Sequence, residues 1–79
     1  MRAETHDRLG EIFAAVLELG AGEDPSQLRR GRHPKWDSLA HVMLIGALES
    51  EFGFEVDTAD SLALDSYDAV AAYLEGRGL

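Results

Sequence analysis

An all-α fold, a small four-helix bundle of three longer helices and one short third helix with a long loop between the first two, follows from three observations. Apolar residues recur at helical spacing in three stretches of the 79-residue chain. Prolines gather in a single connection, and residues that cap helices stand just ahead of the later stretches. Residues 1–79 leave room for one domain and one core.

The first helix is expected over Glu4 to Leu19, where Leu9, Ile12, Phe13, Val16 and Leu17 form one stripe and Asp7, Arg8, Glu11 and Glu18 fall mostly outside it. Gly20 and Gly22 supply the positive-φ residues that end helices, and Pro25 discourages a restart. The connection from Ala21 to Asp37 carries both prolines, Pro25 and Pro34, and its only large apolar residues are Leu28 and Trp36. A loop this long inside a small domain is usually functional. Leu28 is expected to anchor it to the core and Trp36 to close its far end.

The second helix runs from Ser38 to Phe52 and stops at Gly53. Counting about 100° per residue puts Leu44, Ile45, Leu48 and Phe52 on the face toward the first helix, and Leu39, Ala40, Met43, Gly46, Ala47 and Ser50 on the other. That outer face is nearly uncharged, which is unusual for solvent. Asp57 or Thr58 can cap a short helix reaching about Leu62. Asp65 or Ser66 can cap the last one, in which Tyr67, Val70, Ala71 and Leu74 form the stripe before Gly76.

With 15 acidic against 7 basic side chains the net charge is −8. Attraction to nucleic acid or an anionic membrane needs a positive face, so neither is an expected partner; a basic protein surface is. The absence of cysteine excludes disulfides, thiolate metal sites and cysteine nucleophiles. Charged residues interrupt the first apolar stretch, and no apolar run approaches the roughly 20 residues of a membrane span. A soluble, cytoplasmic monomer is expected.

Ser38 sits in the first turn of the second helix, where unpaired N–H groups and the positive dipole end favour an anion. On position alone, Asp37 and Ser38 are ordinary caps. The run Asp37, Ser38, Leu39 resembles the signature of acyl and peptidyl carrier proteins. The order of the helices, the long loop, the Glu49 to Gly53 ending and the Ala69 to Leu74 close resemble the family along nearly the whole chain. The resemblance implies an acyl-carrier-like bundle that is not an enzyme but a covalently loaded substrate. In it Ser38 carries 4′-phosphopantetheine donated from coenzyme A, and Asp37 and Leu39 are the signature flanks.

The partners so implied are a phosphopantetheinyl transferase, a loading enzyme (an adenylation enzyme or acyltransferase), and ketosynthase, condensation or tailoring enzymes. Leu39, Ala40, Met43, Ala47, Glu49 and Arg32 are the expected docking residues. Fatty-acid carriers line this helix with carboxylates; here Ala40 and Met43 stand in their place, and Trp36 precedes the signature. A free-standing carrier for polyketide, nonribosomal peptide or related specialised metabolism is therefore expected ahead of a fatty-acid carrier. The third reading is a helical interaction module in which Ser38 is only a cap.

Three further features bear on function. The segment Arg29, Arg30, Gly31, Arg32, His33, Pro34, Lys35 holds four of the seven basic residues. It reads first as a solvated loop offsetting local carboxylates, and second as a contact for an acidic partner or for a phosphate on Ser38. His41 follows Ser38 by three residues, but helical counting turns it toward Leu44 and Leu48, so a histidine bonded to the loop is expected rather than a catalytic base. His6, His33 and His41 are too scattered to suggest a metal site.

Overall fold

In the computed structural model, which describes residues 1–20 and 22–79, four α-helices pack around one core: α1 Ala3–Val16, α2 Ser38–Phe52, α3 Thr58–Ala63 and α4 Tyr67–Gly76. Ala21, the expected first residue of the connection, lies outside the described residues. A 3-10 turn, Pro25–Gln27, interrupts the connection. No strand forms among the described residues; the nearest approach to one is an isolated antiparallel bridge between Arg29 and Ser66.

α1 buries Thr5, Leu9 and Phe13, a ladder at i, i+4 and i+8, and Leu17 continues it beyond the helix. The helix ends at Val16, earlier than expected. Glu18, not a glycine, takes the left-handed conformation with φ 52°. The Leu19 N–H then reaches back to the Ala14 carbonyl at 3.0 Å, closing a Schellman-type turn. Gly22 has φ 89° and serves the connection, whereas Gly20 does not enter the left-handed region.

The connection is stitched to the bundle by side chains and backbone alike. Leu28 and Trp36 are buried in the core as expected. The Leu28 carbonyl accepts the Tyr67 N–H at 3.2 Å, and the Arg30 N–H donates to the Asp65 carbonyl at 2.7 Å. Gly31, at φ 85°, turns the chain between these contacts and Trp36. Phe13 is the aromatic centre of the core, edge-on to Trp36 at 5.4 Å and tilted against Tyr67 at 5.2 Å between centroids.

Asp37 caps α2, Asp57 caps α3 and Ser66 caps α4, each through a side-chain oxygen that accepts the N–H three residues on. Gly53, at φ 72°, ends α2. α3 buries none of its own residues; it is held by Leu64, buried just beyond it, and by polar contacts. None of the described helices is long and apolar enough to cross a membrane.

Candidate functional site

The end of the connection and the start of α2 form one rigid corner. Trp36 is 2% exposed and fixes the chain where it turns. Asp37 follows in an extended conformation, and its Oδ1 accepts the Ala40 N–H at 2.8 Å. Ser38, the first helical residue, is exposed. Its own N–H and that of Leu39 donate to no acceptor among the described residues. These two free donors and the positive end of the helix dipole are features that favour an anion, offset in part by the Asp37 carboxylate at the same end.

His41 lies beneath this corner and is buried. The Trp36 indole N–H, which can only donate, gives its hydrogen to His41 Nδ1 at 3.1 Å, so the imidazole carries its proton on Nε2 and donates it to the Ser61 carbonyl at 2.8 Å. One ring thereby ties the connection, α2 and α3 together. Both ring nitrogens are occupied, and His41 does not serve Ser38 as a base.

The outer face of α2 carries an apolar stripe. Leu39 is 69% exposed, Val42 69% and Met43 53%, and Leu62 on α3 is exposed to 65%. Val42 and Leu62 were not among the expected docking residues. Counting i+3 and i+4 from Leu39 finds Val42 and Met43 directly.

Ala40 requires a correction. Expected on the outer face, it is 6% exposed, because it stands one turn before Leu44 and only about 40° from it around the helix. It belongs to the inner stripe with His41, Leu44, Ile45 and Leu48. Ala47 is half-buried, and Glu49 turns back to accept the Val56 N–H at 2.9 Å. Arg32 is exposed on the connection.

The basic segment divides in two. Lys35 meets Glu18 at 2.7 Å and His33 meets Glu23 at 3.1 Å, whereas Arg29, Arg30 and Arg32 form no ion pair among the described residues. The hydrogen bond and charge of Lys35 lower the pKa of Glu18, and Glu18 raises that of Lys35 in return. Glu23 is lowered chiefly by the Gly20 N–H at 3.2 Å and then by His33.

Two grooves flank α2. One of about 350 Å³ lies between the end of α1, the connection and the first turns of α2; another of about 320 Å³ lies between α2 and α3 beside Val42, Ile45 and Gly46. A larger one, about 460 Å³, is at the far end of α2. There Arg77 stacks on Phe54 and Tyr73, with 4.5 and 5.0 Å from its guanidinium carbon to the two ring centroids. That groove is remote from Ser38.

Comparison with known protein families, curated proteins and solved structures finds no match to this chain.

Proposed function

We propose that this chain is an acyl or aminoacyl carrier protein of the cytoplasm, loaded with 4′-phosphopantetheine on Ser38. The observation that carries the reading is the exposed Ser38 hydroxyl at the start of a capped helix, with free N–H groups beside it and an uncharged apolar stripe running away from it. The Asp37, Ser38, Leu39 run resembles the carrier signature, and the bundle has the helix order that resemblance implies.

In the loading step the Ser38 oxygen attacks the β-phosphorus of coenzyme A. A phosphorus–oxygen bond forms to Ser38, the pyrophosphate bond breaks, 3′,5′-ADP departs, and the hydroxyl proton passes to a base of the transferase. When bound, the arm supplies a terminal thiol that holds cargo as a thioester. The chain's own residues do the rest. The Ser38 and Leu39 N–H groups favour the phosphodiester anion, Asp37 holds the first turn, and Leu39, Val42 and Met43 offer an apolar contact to the transferase, loading and elongating enzymes. Tethering makes delivery to each partner a near-intramolecular encounter.

Incubation with coenzyme A and a broad-specificity transferase is expected to raise the intact mass by one phosphopantetheine, and Ser38→Ala, folded by circular dichroism, is expected to gain none. An unmodified mass with several competent transferases overturns the proposal. The exposed Leu39, Val42, Met43 and Leu62 also favour a second reading, a binding module in which Ser38 is only a helix residue. That reading predicts partner binding indifferent to Ser38→Ala and no mass gain.

A further inference from the structure

Four of the seven basic residues fall within residues 29–35, and the structure divides them by what they meet. Lys35 is held by Glu18, and neighbouring His33 by Glu23. With those two carboxylates taken, Arg29, Arg30 and Arg32 keep their guanidinium donors: none forms an ion pair or a side-chain hydrogen bond among the described residues. Arg29 and Arg32 are exposed and Arg30 is half-buried. In a chain of net charge −8, this cluster of uncompensated positive charge is a local exception.

The backbone beneath the three arginines is fixed. The Arg29 carbonyl accepts the N–H groups of both Arg32 and His33 at 3.2 Å, and Gly31 at φ 85° closes that turn. Arg29 bridges Ser66, and the Arg30 N–H donates to the Asp65 carbonyl at 2.7 Å. The Trp36 backbone N–H, donating to the His33 carbonyl at 3.1 Å, ties the far side of the turn to the buried tryptophan. Three guanidiniums thus stand on one rigid turn, and a ligand that meets them does not have to order the backbone. Each presents a planar fork of donors that fits a carboxylate through two parallel hydrogen bonds.

The surroundings limit the size of what can dock. Asp65 belongs to the same backbone contact as Arg30. Tyr67, whose N–H donates to the Leu28 carbonyl next to the turn, has its pKa raised by burial and then by Asp24 and Asp68, so further carboxylates stand close by. An extended polyanion such as a nucleic acid, or the plane of an anionic membrane, would meet these carboxylates along with the arginines. A short acidic stretch of polypeptide touches the turn alone. We propose that the turn of residues 29–32 is a docking site for a short acidic segment of a partner protein, whose carboxylates pair with Arg29, Arg30 and Arg32. The site lies on the connection rather than on the apolar stripe of α2, and it does not depend on Ser38 being loaded.

The test follows isotope-labelled protein by NMR while a short peptide of consecutive glutamates is added at low salt. The expected result is saturable shifts at the backbone amides of residues 29–33 and at the guanidinium signals of Arg29, Arg30 and Arg32. Arg8 and Arg77, which already have partners, should not move. The same shifts are expected in Ser38→Ala, and affinity should fall severalfold at physiological salt, since the contact is between exposed charges. A glutamine version of the peptide should not bind. The double variant Arg30→Gln, Arg32→Gln should keep its circular dichroism, because neither side chain has a partner to lose, and should bind the glutamate peptide about tenfold more weakly, the loss of two exposed ion pairs. No saturable shift, equal shifts at Arg8 and Arg77, undiminished binding by the double variant, or tighter binding of inorganic phosphate or a short DNA duplex than of the peptide overturns the proposal. None of these outcomes bears on the loading of Ser38, which intact mass reads separately.

Discussion

Replacing His41 with phenylalanine keeps an aromatic ring in the core and removes both of its hydrogen bonds. The Trp36 indole N–H, deep in the core, loses its acceptor, while the carbonyl of half-buried Ser61 on α3 loses one donor and keeps the Leu64 N–H at 3.2 Å. A buried polar group left unpaired costs about 1–3 kcal/mol. The indole takes the full penalty and the carbonyl, still paired with Leu64, takes little, so the sum is about 1–3 kcal/mol. A core of this size supplies about 3–5 kcal/mol in all, and the substitution consumes a large share of it. Trp36 is the only tryptophan and is buried, so its fluorescence reports unfolding directly. With a urea dependence near the low end for small domains, about 1 kcal/mol per molar, the midpoint should fall by about 1–3 M. A midpoint within about 0.5 M of the parent, at unchanged slope, would refute the view that this imidazole clamps three elements together.

Other outcomes follow from single contacts. Glu18 and Glu23 have lowered pKa values, so their share of stability is present above the ordinary glutamate range and is lost as pH falls through the depressed values; Lys35→Ala should raise the Glu18 midpoint, seen by carboxyl carbon NMR, and move Glu23 far less. Lys35 is raised, so its contribution holds below the ordinary lysine range and is lost as pH rises through the elevated value. Gly46→Ala should stabilise the fold by about 1 kcal/mol in urea titration, since a Cβ there meets nothing within 4 Å and alanine is the better helix former. Gly53→Ala should instead destabilise by about 1–2 kcal/mol in the same assay, because residue 53 sits at φ 72°.

The helices were legible because their stripes and caps are local. Leu9 and Phe13, Leu44 and Leu48, and Val70 and Leu74 repeat at four-residue spacing, and Asp37, Asp57 and Ser66 cap where capping residues were expected. The end of α1 was not legible. Gly20 and Gly22 were the evident terminators, but the Schellman closure and the Lys35 contact put Glu18 into the left-handed turn, and a contact across 17 residues leaves no local mark. In α2, Ala40 was counted onto the outer face although it stands only about 40° from Leu44 around the helix and so falls within the inner stripe, while the bond from Trp36 to His41 depends on how the connection folds back.

These misses share a cause that bears on the proposed function. α2 is apolar nearly all round, so its own pattern finds the inner stripe of Leu44, Ile45 and Leu48 but marks the edges of that stripe only weakly. The connection decides. Leu28 and Trp36 sink into the core, Trp36 reaches His41, and that bond fixes the rotation of α2 about its axis, burying Ala40 and turning Leu39, Val42 and Met43 outward. The loop is thus the element that orients the serine and the stripe together. A change at Trp36 that leaves the helices intact would still misdirect both, and loading of Ser38 by the transferase should suffer more than helix content does.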